Sequence, residues 1–423
     1  MRTFVEIHVL QNFAPSNLNR DDTGAPKDAF FGGTRRARVS SQCLKRAVRE
    51  FFKDKAKAGE ISPDDLGERS KRFLNKVAKL IPDRNPQEVV ERTRLAMLAG
   101  SGTWVAPAEG SDEQEKSEYL LFLGNREVAA IAATINSRWD LEKWEEIRKA
   151  LEKNSVKDKK KEAGKKASKE LKDAFAKLLD GGKAVDVALF GRMLADMPEN
   201  NQNAACQVAH AISTHAVERE FDFYTAVDDL KPEDTAGADM MGTVEFNSAC
   251  FYRYAVVDWA KLTENLQEDI KLATKGLSVF LEGFILAEPT GKQNTFAAHN
   301  PPEFVAITVR QGGAPRNLAN AFEKPVRVKT GESLTKTSAE VLIEKAKALG
   351  AAFDGKAGKK STDDNADKKS GDGDPEMDSV SSFVLNLVEA NTAGFGTKKS
   401  SLTELLSAVT AKISNTPVSP AGA

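Results

Sequence analysis

Residues 34–49, TRRARVSSQCLKRAVR, carry six basic side chains and no acidic one. Arg36 and Arg38 alternate along a short extended segment, which puts them on one side of it. Ser40, Ser41 and Gln42 follow where a helix begins, with its free backbone N–H groups and the positive end of its dipole. Lys45, Arg46 and Arg49 continue the positive surface one to two turns on. Such donors suit a run of phosphates and would hold a nucleic-acid backbone without reading its bases. A solvated basic helix face is the competing reading. Upstream, NLNRDDTGAPKDAFFGG adds Arg20 and Lys27 on a loop that could close over a bound strand.

Two other segments invite chemistry. Residues 153–172 hold nine lysines against three acids, a net charge of +6, with no aromatic residue. This is either a nonspecific, salt-sensitive phosphate contact or a solubilising helix face. Residues 222–248 have turn formers and no helical period, so they read as a projecting hairpin or loop. Phe223 and Tyr224 lead into it, and Met240 and Met241 precede Gly242. Apolar side chains there either wedge between bases or fill a core.

Catalytic patterns are missing. Of the four histidines, His8, His210, His215 and His299, His210 and His215 share neither a helical face nor a strand face, so they make no metal pair. Cys43, Cys206 and Cys250 form no CxxC, and an odd cysteine count fits a reducing compartment. No phosphate-binding glycine loop and no GxSxG elbow occurs. Asp21 with Asp22, and Asp228 with Asp229, read as caps and turns. The expectation is no catalytic residue, no metal and no cofactor.

The elements that must position the basic stretch follow from periodicity. Residues 3–11 alternate as a half-buried strand. Leu44, Ala47, Val48, Phe51 and Phe52 make one apolar stripe of a helix that Ser40 or Ser41 can cap. Residues 60–205 read mostly helical, with Leu141, Trp144, Ile147 and Leu151, then Leu171, Phe175 and Leu178, at helical spacing. Residues 208–217, 251–257 and 304–310 look like strands, and 266–284 like a long amphipathic helix. The order β-α-(helical insertion)-β-(hairpin)-β-α-β is the ferredoxin-like, α+β pattern that RNA-recognition modules also use. Residues 355–379 have almost no apolar content and read as a flexible insertion. The 423 residues, 40% hydrophobic and with a net charge of −1, fit two to three domains and no generally basic binder. The N-terminus lacks a signal peptide's apolar region and no membrane-length apolar run occurs, so a cytoplasmic protein is expected.

The segment LNRDDTGAPKDAFFGGTRRARVSSQCLKRAVR closely resembles the N-terminal signature of the CasC family, backbone subunits of the type I-E CRISPR surveillance complex, Cascade. VDVALFGRM (185–193), AHAISTHAV (209–217), FYTAVDDL (223–230), MGTVEFNSACFYRYA (241–255) and LANAFEKPV (318–326) are similar to family segments in the same order. The resemblance runs from about residue 3 to 330. Residues 55–120 match poorly, residues 355–379 depart from it, and an aromatic RNP1 motif is lacking.

The resemblance implies a right hand. An RRM-like palm spans 1–58, 206–221 and 249–423, helical fingers span 59–205, and a β-hairpin thumb spans 222–248. Copies would polymerise along CRISPR RNA as a helical filament with other Cascade subunits and present the guide to target DNA, without catalysis. Arg20, Lys27, Ser40, Gln42, Lys45, Arg46 and Arg49 match RNA-backbone positions, beside the Arg36 and Arg38 of the bottom-up reading. Met193, Tyr224, Thr225 and Met241 match residues that wedge the guide out of line. Lys157, Lys159, Lys160, Lys161, Lys165, Lys166 and Lys169 match a helix that contacts target DNA. The alternatives are a ferredoxin-like CRISPR RNA-processing endonuclease, using His8 or His210, and a scaffold that binds no nucleic acid.

Overall fold

Strand β1 (Thr3–Ser16) owes its place to an apolar alternation with few interruptions. The computed structural model describes residues 1–100, 104–105, 116–117, 120–152, 168–194, 198–226, 240–354 and 379–417. Their contacts divide into two units: Met1–Phe51, Gln207–Ala260 and Leu277–Ala423 form one, and Phe52–Cys206 with Lys261–Gly276 the other.

The sheet of the first unit is mixed. After β1 come β2 (Asp28–Phe31), β3 (Thr34–Val39), β4 (Cys206–Val208), β5 (Ala211–Ser213), β6 (Glu220–Ala226), β7 (Met240–Asp258), β8 (Phe304–Gln311), β9 (Ser379–Asn386) and β10 (Thr397–Lys399). The spatial order is β10-β9-β8-β1-β7-β5-β3-β2, with β4 and β6 also paired to β7. β1 lies antiparallel to both β7 and β8, while β9 and β10 run parallel. The pairing of β1 with β7 shifts register between Phe13 and Ser16, around Pro15, which has no N–H to give a ladder.

The half-buried reading of residues 3–11 is corrected, because both sides of β1 are covered over that stretch. On one face Phe4 and Leu10 pack with Tyr252, Tyr254 and Phe304 against Ala339, Leu342 and Ile343 of a helix, Leu334–Phe353. On the other, buried Arg253 donates to Gln11 and to the carbonyl of Phe284, near the end of the helix Ile270–Leu286. The polar residues of β1 are therefore partnered. Glu6 accepts from Arg310 Nε at 2.6 Å and from the Arg316 N–H at 2.7 Å. Burial still raises the Glu6 pKa against the pull of Arg310.

His8 Nδ1 lies 2.9 Å from the Tyr252 hydroxyl, which also accepts the Leu318 N–H. Burial, aided by the Arg310 charge, lowers the His8 pKa to about 3. The unfolded chain, with an ordinary histidine, takes up that proton first as pH falls. Stability from neutral His8 is thus complete above about pH 6.5 and is lost below it, by roughly 1 kcal/mol per pH unit. Chemical denaturation between about pH 5 and 7 should show this slope relative to a His8→Gln variant. Equal slopes in the two proteins would exclude the assignment.

Other boundaries differ from the sequence reading. The strand expected over 208–217 is two short strands, β4 and β5. The helix expected from 266 starts at Ile270. β7 runs unbroken from the hairpin into the sheet, and β6 is its antiparallel partner. The helices Leu334–Phe353 and Leu402–Ser414 and the strand β9 were not anticipated. Of the insertion expected over 355–379, Ser379 begins β9 and the remainder lies outside the described residues.

The second unit has a helical core of its own, with Phe73, Leu74, Val77, Val128, Ile131, Ile147, Leu171 and Phe175 buried together. Arg192 Nη1 donates to both Glu127 oxygens at 2.8 Å, and Glu127 also accepts the N–H groups of Gly124 and Gly181. This buried pair keeps its partners, as a charge out of water must. Among the described residues, no helix is long and apolar enough to cross a membrane.

Candidate nucleic-acid interface

The basic stretch folds as a hairpin leading into helix α1 (Ser41–Lys57). Gly32 and Gly33 join β2 to β3 with φ of +57° and +74°. Two successive left-handed residues make the tight turn that matches strand twist. Gly32 has a second reason: a Cβ there would lie 1.7 Å from the Glu323 carbonyl oxygen.

Arg36 does not face a ligand, and its assignment to RNA is corrected. It is fully buried. Its Nε donates to Thr34 Oγ1 (2.9 Å), Nη1 to the carbonyls of Ser213 (3.0 Å) and Thr214 (3.1 Å), and Nη2 to those of Phe322 (2.8 Å) and Glu323 (3.2 Å). A guanidinium has five N–H groups, and these bonds use all of them. Arg38, two residues on, is half-buried and behaves differently. Nε donates to the Asp28 carbonyl at 3.1 Å, and Nη1 lies 3.0 Å from His210 Nδ1.

Ser40 is the helix cap. Its Oγ accepts the Cys43 N–H at 3.3 Å, and its carbonyl accepts that of Leu44 at 3.1 Å. The hydroxyl expected to touch RNA is thus mostly a structural acceptor, buried at the start of α1. The Ser40 N–H donates to Asn19 Oδ1, the Lys27 N–H to the Asn19 carbonyl, and the Arg38 N–H to the Lys27 carbonyl. These bonds bring the loop and the hairpin together. Arg20 pairs with Pro26 in the same loop. Asp21 accepts from the N–H groups of Thr23 and Ala25, as expected of a turn carboxylate; Asp228 and Asp229 lie outside the described residues.

Leu44, Val48 and Phe52 bury one side of α1, and Leu44 packs with Phe13, Val39, Ala211 and Phe251. The opposite side carries Gln42 and Arg46, which are exposed, and Lys45 and Arg49, which are half-buried. With exposed Arg20 and half-buried Lys27 and Arg38, this makes a donor-rich surface.

The hairpin of β6 and β7 stands on an ion-pair base. Arg219 reaches Asp28 (2.8 Å) and Glu245 (3.0 Å), and Asp28 also pairs with Arg35. Burial would raise the Asp28 carboxyl, but hydrogen bonds from Arg35 and Arg219 outweigh it and hold the pKa below the usual value. Every residue of β6 is exposed. Cross-strand register sorts the side chains, since paired residues share a face. Phe221 opposes Glu245, Phe223 opposes Thr243, and Thr225 opposes Met241. Phe221, Phe223 and Met241, each about two-thirds exposed, therefore form one apolar face. Tyr224 opposes Gly242 on the other face and lies over it: a Cβ on Gly242 would come within 2.5 Å of the Tyr224 hydroxyl. The expected wedge residues thus divide, Thr225 and Met241 on one face and Tyr224 on the other. Phe221 was not singled out from the sequence.

Met193 lies in the second unit. The short helix Val185–Phe190 ends at Gly191 (φ +74°), Arg192 turns inward, and Met193 is 82% exposed. Of the lysines expected to meet DNA, Lys169 is exposed at the start of the helix Lys169–Leu178. Lys157, Lys159, Lys160, Lys161, Lys165 and Lys166 lie outside the described residues. Among the described residues, no group of three or more His, Cys, Asp or Glu side chains could hold a metal ion.

A family model described as CT1975-like protein matches residues 5–384. No curated protein matches the chain. Among solved structures, a chain of a "CRISPR RNA-guided surveillance complex, pre-nicking" superposes with a TM-score of 0.77 at 28% identity, covering 97% of this chain and 100% of that one. A chain of a "CRISPR RNA-guided surveillance complex" superposes with a TM-score of 0.67 at 23% identity, covering 97% and 99%, and shows a shared fold.

Proposed function

Because this chain belongs to the CT1975-like protein family, we propose that it is an RNA-binding subunit of a CRISPR RNA-guided surveillance complex. The observation that carries the reading is the donor surface of Arg20, Lys27, Arg38, Gln42, Lys45, Arg46 and Arg49, built without an acid between residues 34 and 49. Such a surface holds any backbone and leaves Watson–Crick edges free, as a guide-presenting protein requires. Likeness to a chain of such a complex over nearly its whole length adds support.

The finer reading is a CasC-type backbone subunit of a type I-E Cascade. Its ferredoxin-like palm is the sheet unit, its fingers are the helical unit, and its thumb is the β6–β7 hairpin. Copies line CRISPR RNA side by side in the cytoplasm, and the bound guide pairs with target DNA, which the lysine-rich segment contacts. The subunit is non-catalytic. In support, His8 is buried and held neutral, and the Nδ1 of His210 faces the Arg38 guanidinium. The endonuclease reading needs one of these histidines free to take a proton.

Co-purification tests the reading. The chain expressed with a CRISPR RNA and washed at high salt should retain RNA, seen as excess absorbance at 260 nm; protein free of RNA under these conditions would refute it. A companion experiment tests the thumb. Phe221→Ser, Phe223→Ser and Met241→Asp together change one exposed face, so the melting temperature should stay within about 2 °C. Assembly of several copies on one RNA should fall at least tenfold, because a wedge or neighbour contact loses its apolar surface. Unchanged assembly would remove the thumb from the contact between copies.

A further inference from the structure

His210 lies at this surface, and its surroundings decide its protonation. It precedes Ala211, which pairs with Val39, so the strand register sets it across from Ser40 at the start of α1. It is exposed. Its Nδ1 lies 3.0 Å from Arg38 Nη1. A guanidinium can only donate, so Nδ1 is the acceptor, the ring proton sits on Nε2, and the imidazole is neutral. Partial desolvation, together with the Arg38 and Lys27 charges, also lowers its pKa.

Arg38 is fixed in turn. With Nε on the Asp28 carbonyl and one Nη1 hydrogen on His210, three of its five N–H groups have no partner among the described residues. We infer that Arg38 and His210 form a two-donor clamp on neighbouring phosphates of the bound RNA backbone, Arg38 through Nη2 and His210 through Nε2–H. The inference rests on the RNA-binding reading above and assigns His210 a contact within it. The histidine does two things: it orients the guanidinium and adds a neutral donor beside a charged one. It takes no part in proton transfer, because its only free nitrogen already holds the proton.

The test uses the full chain and a labelled single-stranded RNA of guide length. His210→Leu should weaken binding about 10-fold or more, the worth of one hydrogen bond to a charged acceptor. His210→Gln, whose amide can accept from Arg38 and donate outward, should stay within about twofold of the wild type. The salt dependence of Kd should be unchanged in His210→Leu, because a neutral donor displaces no counterion. Arg38→Gln should lower the slope by about 0.7. Combined with His210→Leu it should cost less than the product of the two single effects, since the pair acts together. Unchanged affinity in His210→Leu, equal loss in His210→Gln, or a lowered salt slope in His210→Leu would each overturn the clamp. If the wild-type chain does not bind RNA, the RNA-binding reading fails, and the clamp with it.

Discussion

Neutralising Lys45, Arg46 and Arg49 together with glutamine is expected to lower RNA affinity about 100-fold or more at moderate salt, equally for every guide sequence. The three residues lie on α1 away from Leu44, Val48 and Phe52, which the core buries. Lys45 and Arg49 are one turn apart and follow a surface that begins at Gln42. Each cation that meets a phosphate on a single strand contributes about 0.7 to the slope of log K against log salt, so the triple variant should lose about 2 from that slope. Glutamine keeps a similar length and a helical residue, so the fold should be unaffected. Titration of labelled RNAs of unrelated sequence at several salt concentrations measures both quantities. Loss confined to particular sequences would mean that these residues read bases. An unchanged slope would mean that they meet no phosphate.

Arg36→Met should give the opposite result, a protein that fails to fold well before it fails to bind. Methionine fills much of the space but strands the four carbonyls and one hydroxyl that the guanidinium satisfies. Buried acceptors left without a donor cost about 1–3 kcal/mol each before relaxation, so a loss of order 3–5 kcal/mol is expected. For a unit of this size the melting temperature should fall by roughly 10 °C or more. Lysine should rescue little, since three donors on a point charge cannot replace a planar fork of five. Thermal unfolding followed by circular dichroism decides the matter. A melting temperature within about 2 °C of the wild type, with RNA binding lost, would restore Arg36 to the interface.

Arg36 and Arg38 show where sequence reasoning stops. Both are arginines on one strand, two apart, and alternation puts them on the same side. The sequence alone determined that this stretch is basic, that α1 follows it, and that Leu44, Ala47, Val48, Phe51 and Phe52 form its apolar stripe, of which the fold buries Leu44, Val48 and Phe52 fully. It also determined strands at β1 and β8 and a hairpin near 222–248. Local periodicity and charge are properties of neighbouring residues, so they can be read without the fold.

Only the tertiary structure decided which donors remain available. Arg36 uses all its donors on Thr34 and on carbonyls of residues 213, 214, 322 and 323, whereas Arg38, among the described residues, uses only two, on a carbonyl of residue 28 and the ring of His210, and keeps the rest. Most of those partners come from distant parts of the chain that the sheet brings together, and no spacing rule foretells them. The same holds for β1, whose alternation suggested one wet face until the helix Leu334–Phe353 covered it. It holds too for the β6–β7 hairpin, where register alone separates Phe221, Phe223 and Met241 from Tyr224. A side chain's type sets what bonds it can make; the long-range pairing of strands sets which of those bonds are already made.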